Sequence, residues 1–322
     1  MGLPRQKRID LPTRDQPESL GHFLGASRYA HVKNNIMKTA VFALSLVVAS
    51  TSMVVSSSVQ LESIEVVDIA PRAFAYRRAG DFSVAGQTTD APLVTVARTS
   101  VLHIMKRQVK AAEYDRCVAE DRCMSHSSSE SSGSNMPAVQ VSWQDATAYA
   151  TWLSTKTGET WRLPTDEEWV FAAGSRFHDD ALSVTASRDP SVRWLVRYEK
   201  ESEQVALDQR PRPTGAFGAN EYGLLDLSGN VWEWTNTCFM RQSLDAEGKP
   251  AGAWTANCGV RVVEGDHRTY VTDFVRDARG GGCAVGKPPS NLGFRLVRVD
   301  DGIASIASTL IASTLRRLVS NH

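Results

Sequence analysis

The two helix signatures between Ser142 and Gly174, with no long helical period after them, limit the fold of this chain more than any other feature. Ser142 is placed to cap a helix, with Asp145 three residues on, and Ala146, Tyr149, Ala150 and Leu153 follow at i, i+3, i+4 and i+7. Gly158 ends that helix. Thr165 with Glu168 opens a second one, whose buried stripe is Trp169, Ala172 and Ala173 up to Gly174. Both read as short and amphipathic. From residue 175 onward, Gly, Pro, Asn and Asp recur between short apolar runs. The strands expected there are Gly259–Val263, Tyr270–Phe274 and Asn291–Val299, the last with Leu292, Phe294 and Leu296 in period two. A few short helices pinned to irregular antiparallel strands, with high loop content and no internal repeat, make an α+β arrangement.

Composition narrows what such a domain binds. Lys plus Arg and Asp plus Glu both number 36, so no basic excess is available to neutralise phosphates and nucleic acid is not an expected ligand. A hydrophobic fraction of 42% with eight Trp and ten Phe supplies a core and excludes wholesale disorder. Ser125 to Gly133 is a low-complexity stretch unable to bury apolar area, and reads as a linker or surface loop.

The N-terminal segment reads as targeting information. Met37-Lys38 precedes an uncharged, largely apolar run from Thr39 to Leu61, and a positive residue, an apolar stretch and then small residues is the order of an export signal. Residues 1–36 are polar and charged and too long for an ordinary leading region, so translation is expected to begin at Met37. A buried core helix is the other reading of the run. Its length also suffices to span a membrane, so a cleaved signal and a retained anchor both stay open. The expected organisation is an extension with export signal over 1–61, one domain over 62–300 and a tail over 301–322. The expected location is the periplasm, free or membrane-anchored, with membrane contact only through an uncleaved N-terminal segment. In the tail, Ile303, Ile306, Leu310, Ile311, Leu315 and Leu318 fall at helical spacing, which suits either a docking helix or a frayed one.

Five cysteines agree with an oxidising compartment. Cys117 and Cys123 bracket a short charged loop and are expected to pair, Cys238 and Cys258 are available for a second pair, and Cys283 is left odd. Asp226 and Glu233 put two carboxylates on a tight turn containing Gly229. Backbone carbonyls of Gly229 and Val231 can converge with them into the hard-oxygen shell that calcium prefers. The other reading of these residues is that Trp232 and Trp234 anchor the core while Glu233 ties the turn through hydrogen bonds, since buried carboxylates also serve as paired structural groups.

Three segments together resemble the formylglycine-generating enzyme, or sulfatase-modifying factor, family: Pro137–Leu153 with Trp161–Trp169, Asn220–Trp234, and Asn291-Leu-Gly-Phe-Arg295. Glu113, Tyr114 and Cys117 are similar to the element that precedes them in that family. The resemblance implies the family's variant of the C-type lectin fold, and calcium at the positions matching Asp226, Gly229, Val231 and Glu233. In active members two cysteines near the C-terminal end bind Cu(I), and oxygen activated there converts a sulfatase cysteine into formylglycine. Two thiolates are what a soft ion selects. Here the stretch His267–Arg279 matches the one that carries them, with Val271 at the first position and Arg276 at the second. Neither replaces a thiolate, so copper is not expected.

The resemblance therefore points to an exported accessory factor that acts on a protein or peptide client, like the family branches linked to nitrite reductase and to siderophore maturation. Two other readings stay open. One is an oxidase with a different metal site, for which Cys283, after Gly280-Gly281-Gly282, and His267 are the candidate catalytic residues or ligands. The other is a non-catalytic lectin-like binding module. The sequence has no Gly-x-Ser-x-Gly elbow, His-Glu-x-x-His pair, phosphate loop or dinucleotide fingerprint.

Overall fold

Six short strands in the opening section come before the helices. They are β1 (Val66–Ile69), β2 (Ala73–Arg77), β3 (Asp81–Val84), β4 (Gln87–Thr89), β5 (Leu93–Ala97) and β6 (Leu102–Met105). The central part holds α1 (Ala111–Ala119), α2 (Trp143–Thr157), β7 (Thr160–Arg162) and α3 (Asp166–Ala173). After these come α4 (Pro190–Ser202), β8 (Trp232–Leu244), β9 (Thr255–Glu264), β10 (Thr269–Thr272), β11 (Leu292–Gly293) and β12 (Val297–Val299). The computed structural model describes residues 63–126, 133, 135–179, 181–182, 190–202, 210–277 and 291–300, all within one unit spanning Gln60–His322. The expected export signal over Thr39–Leu61, the serine-rich residues 127–132, Cys283 with Gly280–Gly282, and the expected tail 301–322 lie outside the described residues. Among the described residues no helix is long and apolar enough to cross a membrane.

The strands form a four-stranded sheet ordered β1-β6-β12-β7, a two-stranded sheet of β2 and β5, and a larger mixed sheet ordered β10-β9-β8-β3-β4 with β11 beside β8. The α+β class with few short helices, irregular strands and many loops is thus the one expected. The strands are not all antiparallel, because β3 and β11 both run parallel to β8. The stretch 291–299 was expected as one strand and is two. β11 pairs with β8 and β12 with β6 and β7, and between them Arg295 turns inward to an ion pair that a continuous pleat would not permit.

Both predicted capping boxes form. The hydroxyl of Ser142 accepts from the Asp145 N–H at 3.1 Å while the Asp145 carboxylate accepts from the Ser142 N–H at 2.8 Å. Thr165 and Glu168 do the same at 3.1 and 2.9 Å. Each box satisfies two of the amide donors that a helix start leaves without a partner. Gly158 closes α2 at φ 73°, a left-handed conformation that a side chain disfavours. The stripe Ala146, Tyr149, Ala150 and Leu153 is buried against Tyr114, Trp234 and Phe294 in the main core. α3 differs from expectation. Every residue from Glu168 to Ala173 is buried, so it is a core helix packed on Ile104, Leu224, Leu227 and Val297 rather than an amphipathic surface helix.

The sequence reading missed α4 and α1. In α4, Val192, Leu195 and Val196 stand at i, i+3 and i+4, a helical spacing that the sequence reading passed over, and Leu195 and Tyr198 are 49% and 59% exposed. α1 is held at its start by the Glu113 carboxylate, which accepts from the Lys110 N–H at 2.9 Å, and by the disulfide from Cys117 to Cys123. The second expected bridge, Cys238 to Cys258, joins β8 to β9.

Candidate functional site

The turn before β8 is built from residues in an uncommon backbone conformation. Asp226, Ser228 and Asn230 have φ of 60°, 52° and 66°. Each is held by its own side chain. The Asp226 carboxylate accepts from the backbone N–H groups of Gly215 and Phe217 at 2.6 and 2.8 Å. Asn230 exchanges two hydrogen bonds with the backbone of Arg212, and the Ser228 hydroxyl donates to the Arg176 carbonyl. A Cβ on Gly229 would lie 2.8 Å from the Phe217 ring, so only glycine allows the approach.

Glu233 lies beneath this turn, 1% exposed, and its carboxylate is fully used. Oε1 accepts from Gln108 at 2.8 Å and from Arg295 at 2.7 Å, and Oε2 accepts from Trp169 at 3.0 Å and from Arg295 at 2.6 Å. Gln108 also donates to the Asp226 carbonyl, and the Gly229 carbonyl accepts from the Val231 N–H. A divalent cation would have to share Glu233 with a bidentate guanidinium, and four donors already fill its lone pairs. In this arrangement Asp226, Gly229, Val231 and Glu233 do not fit a calcium shell. The turn is tied by these hydrogen bonds, and Trp232 and Trp234 are buried in the main core. Trp234 Nε1 donates to the Val141 carbonyl at 2.7 Å and Trp232 Nε1 to the His267 carbonyl at 3.2 Å.

The stretch that matches the copper segment runs through β10 into the N-terminal end of α2. Val271 is fully buried in the main core and faces Arg261 across the β9–β10 ladder. Beyond β10, the Asp273 carbonyl accepts from the Trp143 N–H and the Asp273 N–H donates to the Gly259 carbonyl, both at 3.0 Å. Arg276 then ties this segment to two others, with Nη2 donating to Asp145 Oδ1 at 2.7 Å and Nη1 to the Ser125 carbonyl at 2.8 Å. The carboxylate that caps α2 thus also anchors Arg276. An aliphatic side chain in the core and a guanidinium engaged by a carboxylate offer no ligand to a soft ion, so these residues do not fit Cu(I). Phe274 and Met124, each 67% exposed, lie next to these anchor points in the chain.

His267 keeps its ring edge-on to Trp232 with centroids 5.7 Å apart, and Nδ1 lies 3.1 Å from the Arg268 carbonyl. Its Nε2 is buried without a hydrogen-bond partner among the described residues. Among those residues no group of three or more His, Cys, Asp or Glu is disposed to hold a metal ion. Arg268 beside it belongs to a buried charge cluster. Its Nε donates to Glu264 at 2.7 Å and to Asp166 at 3.2 Å, and the Tyr76 hydroxyl donates to Asp166 at 2.5 Å. Burial holds the Glu264 carboxyl well above the usual range, with Arg268 opposing the rise and the neighbouring Asp166 charge adding to it. Burial and then the same Asp166 charge push the Tyr76 hydroxyl upward.

Comparison with known proteins gives the family. Residues 59–299 match the family described as the sulfatase-modifying factor enzyme 1-like domain. The chain belongs to the sulfatase-modifying factor family. Among family relatives, the inactive C-alpha-formylglycine-generating enzyme 2 of Bos taurus is 32% identical over 170 residues, covering 48% of this chain and 53% of that protein. The formylglycine-generating enzyme of Mycobacterium tuberculosis is 37% identical over 109 residues, 32% of this chain and 34% of that one. The chain thus spans about half the length, or less, of the curated relatives it matches. The solved structure of PvdO from Pseudomonas aeruginosa is 20% identical, with a TM-score of 0.45 over 73% of this chain and 94% of that one.

Sequence reasoning found the turn of this sulfatase-modifying factor domain but not what neutralises it. Arg295 was visible as a lone charge in an apolar run from Leu292 to Val297, a pattern that calls for a buried partner. Gln108 and Arg268 sit among ordinary neighbours and carried no signal. The link from Arg276 to Asp145 joins positions 131 residues apart and is visible only in the folded chain.

Proposed function

We propose that this chain is a non-oxidising member of the sulfatase-modifying factor family, an exported accessory factor that binds an extended protein or peptide client and assists its maturation. The observation that carries the reading is the pair Val271 and Arg276, one packed in the core and the other held by Asp145, where copper chemistry requires two thiolates. The similarity to a relative named an inactive formylglycine-generating enzyme supports it. Two disulfides in the folded chain support an oxidising location, the periplasm or its membrane face, reached through the signal over Thr39–Leu61. The surface where the segment after β10 meets the start of α2, with exposed Phe274 and Met124 next to its anchor points in the chain, is the client surface of this reading.

The test is mass spectrometry of a Cys-x-Pro-x-Arg peptide incubated with the protein, Cu(I) and oxygen. An unchanged peptide is expected, and formylglycine in it would refute the reading. A second reading, an oxidase with a metal at His267 and Cys283, draws on the unpartnered Nε2 of His267. It requires copper or iron in the purified protein that is lost on Cys283→Ala, and metal-free protein excludes it.

A further inference from the structure

The two disulfides stand in opposite surroundings. Cys117 and Cys123 are 0% and 8% exposed and belong to the main core, out of reach of a solution thiolate in the folded chain. Cys258 lies in a run, residues 251–259, that is exposed throughout, while Cys238 is half-buried. The ladder between β8 and β9 shifts register on both sides of Cys238. Cys238 faces Arg261 across the ladder while its sulfur bonds to Cys258, so two β9 residues converge on one β8 residue.

This irregularity places Nη1 of Arg261 3.3 Å from Cys238 Sγ. The guanidinium is held there by other contacts. The same nitrogen donates to the Asn236 carbonyl at 3.0 Å, and the group stacks over the Trp143 ring 3.8 Å from its centroid. A cation already fixed beside a sulfur favours the thiolate at that sulfur, and a more acidic thiol is the faster leaving group in exchange. The bridge is therefore asymmetric. One cysteine is exposed to solvent and the sulfur of the other has a cation beside it for the charge it would carry on leaving.

We propose that the Cys238–Cys258 disulfide is a thiol-exchange site, attacked at Cys258 by an external thiolate, with Arg261 receiving the departing Cys238 thiolate. In the exchange the incoming sulfur bonds to Cys258 Sγ, the bond between Cys258 and Cys238 breaks, and the electron pair leaves on Cys238 Sγ. Attack by Cys238 on the mixed disulfide expels the external thiol as thiolate and restores the bridge. The ligand class is a thiol, and no oxidant or metal enters the balance. The inference goes beyond the accessory-factor reading and does not depend on it.

The test uses the full chain with Cys283→Ser, so that the two bridges hold all remaining cysteines, and reduced glutathione at limiting concentration as the probe. After alkylation and peptide mass spectrometry, glutathione is expected on Cys258 and the alkyl label on Cys238, with Cys117–Cys123 intact. Glutathione on Cys238, both bridges opening together, or neither opening overturns the proposal. Arg261→Gln is expected to slow the exchange several-fold, with Arg261→Lys restoring part of the rate. In a Cys258→Ser chain, the pH profile of Cys238 alkylation is expected to move upward on Arg261→Gln. A merely structural arginine would leave that profile in place, and an unmoved profile overturns the role assigned to Arg261.

Discussion

Individual charged residues carry much of this fold, and Glu233 is the clearest case. Its two oxygens hold Gln108, Trp169 and Arg295 from three separate parts of the chain, so removing either member of the ion pair strands a buried charge. Glu233→Ala or Arg295→Ala is expected to cost about 3–5 kcal/mol in urea unfolding. Replacing the pair by apolar residues of similar volume should cost far less, because the penalty comes from the charge left alone. Arg276 is a milder case. It is half-exposed, so Arg276→Ala should cost about 1–2 kcal/mol, through the donor lost by the nearly buried Asp145. The same residue tests the copper argument. Neither Val271→Cys nor Arg276→Cys alone is expected to bind Cu(I), since each supplies a single thiolate. Spectroscopic copper titration checks this, and binding by either single variant would contradict it.

At the scale of elements, α2 and β10 work as one unit. Asp145 caps the helix through Ser142 with one oxygen and holds Arg276 with the other, so the start of α2 and the segment after β10 are tied to one carboxylate. Ser142→Ala is expected to lower stability by about 1 kcal/mol, the usual value of a cap. Asp145→Ala should cost more than Ser142→Ala and also loosen residues 273–276, seen as faster amide exchange at Asp273 and Val275. Equal costs for the two variants would mean that the Arg276 contact contributes nothing. α2 was legible in the sequence because its cap, stripe and glycine stop are local. The divided strand at 291–299 was not, because what splits it is Glu233, 62 residues away from Arg295.

The pH response is a property of the whole molecule, set by carboxylates of opposite behaviour. Burial raises Glu264, so in the window above the ordinary glutamate value of 4.5 the folded chain binds a proton that the unfolded chain has released. Its contribution is full below that value and is lost as pH rises through the raised folded value. Glu113 and Glu168 run the other way. Burial acts on both, but hydrogen bonds from Arg107 and Arg162 outweigh it and hold them below the usual range. Their contribution is present above the unfolded carboxylate value and is lost on acidification through the lowered one. Urea unfolding across a pH series should show stability falling on both sides, and Glu264→Gln should flatten the alkaline limb alone. An unchanged alkaline slope in that variant would remove Glu264 as its cause.

What the sequence determined by itself was whatever depends on neighbours along the chain. That covers both helix caps, the α+β class, the resemblance carried by three ordered segments, and the expectation drawn from it that Val271 and Arg276 stand where active members carry two thiols. The folded structure alone decided where the charges go: Glu233 to Arg295, Arg276 to Asp145, and Arg268 between Glu264 and Asp166. The reason is physical. A cap or a period is complete within one turn of chain, whereas a buried charge is stable only beside a counter-charge that the packing of distant elements brings to it.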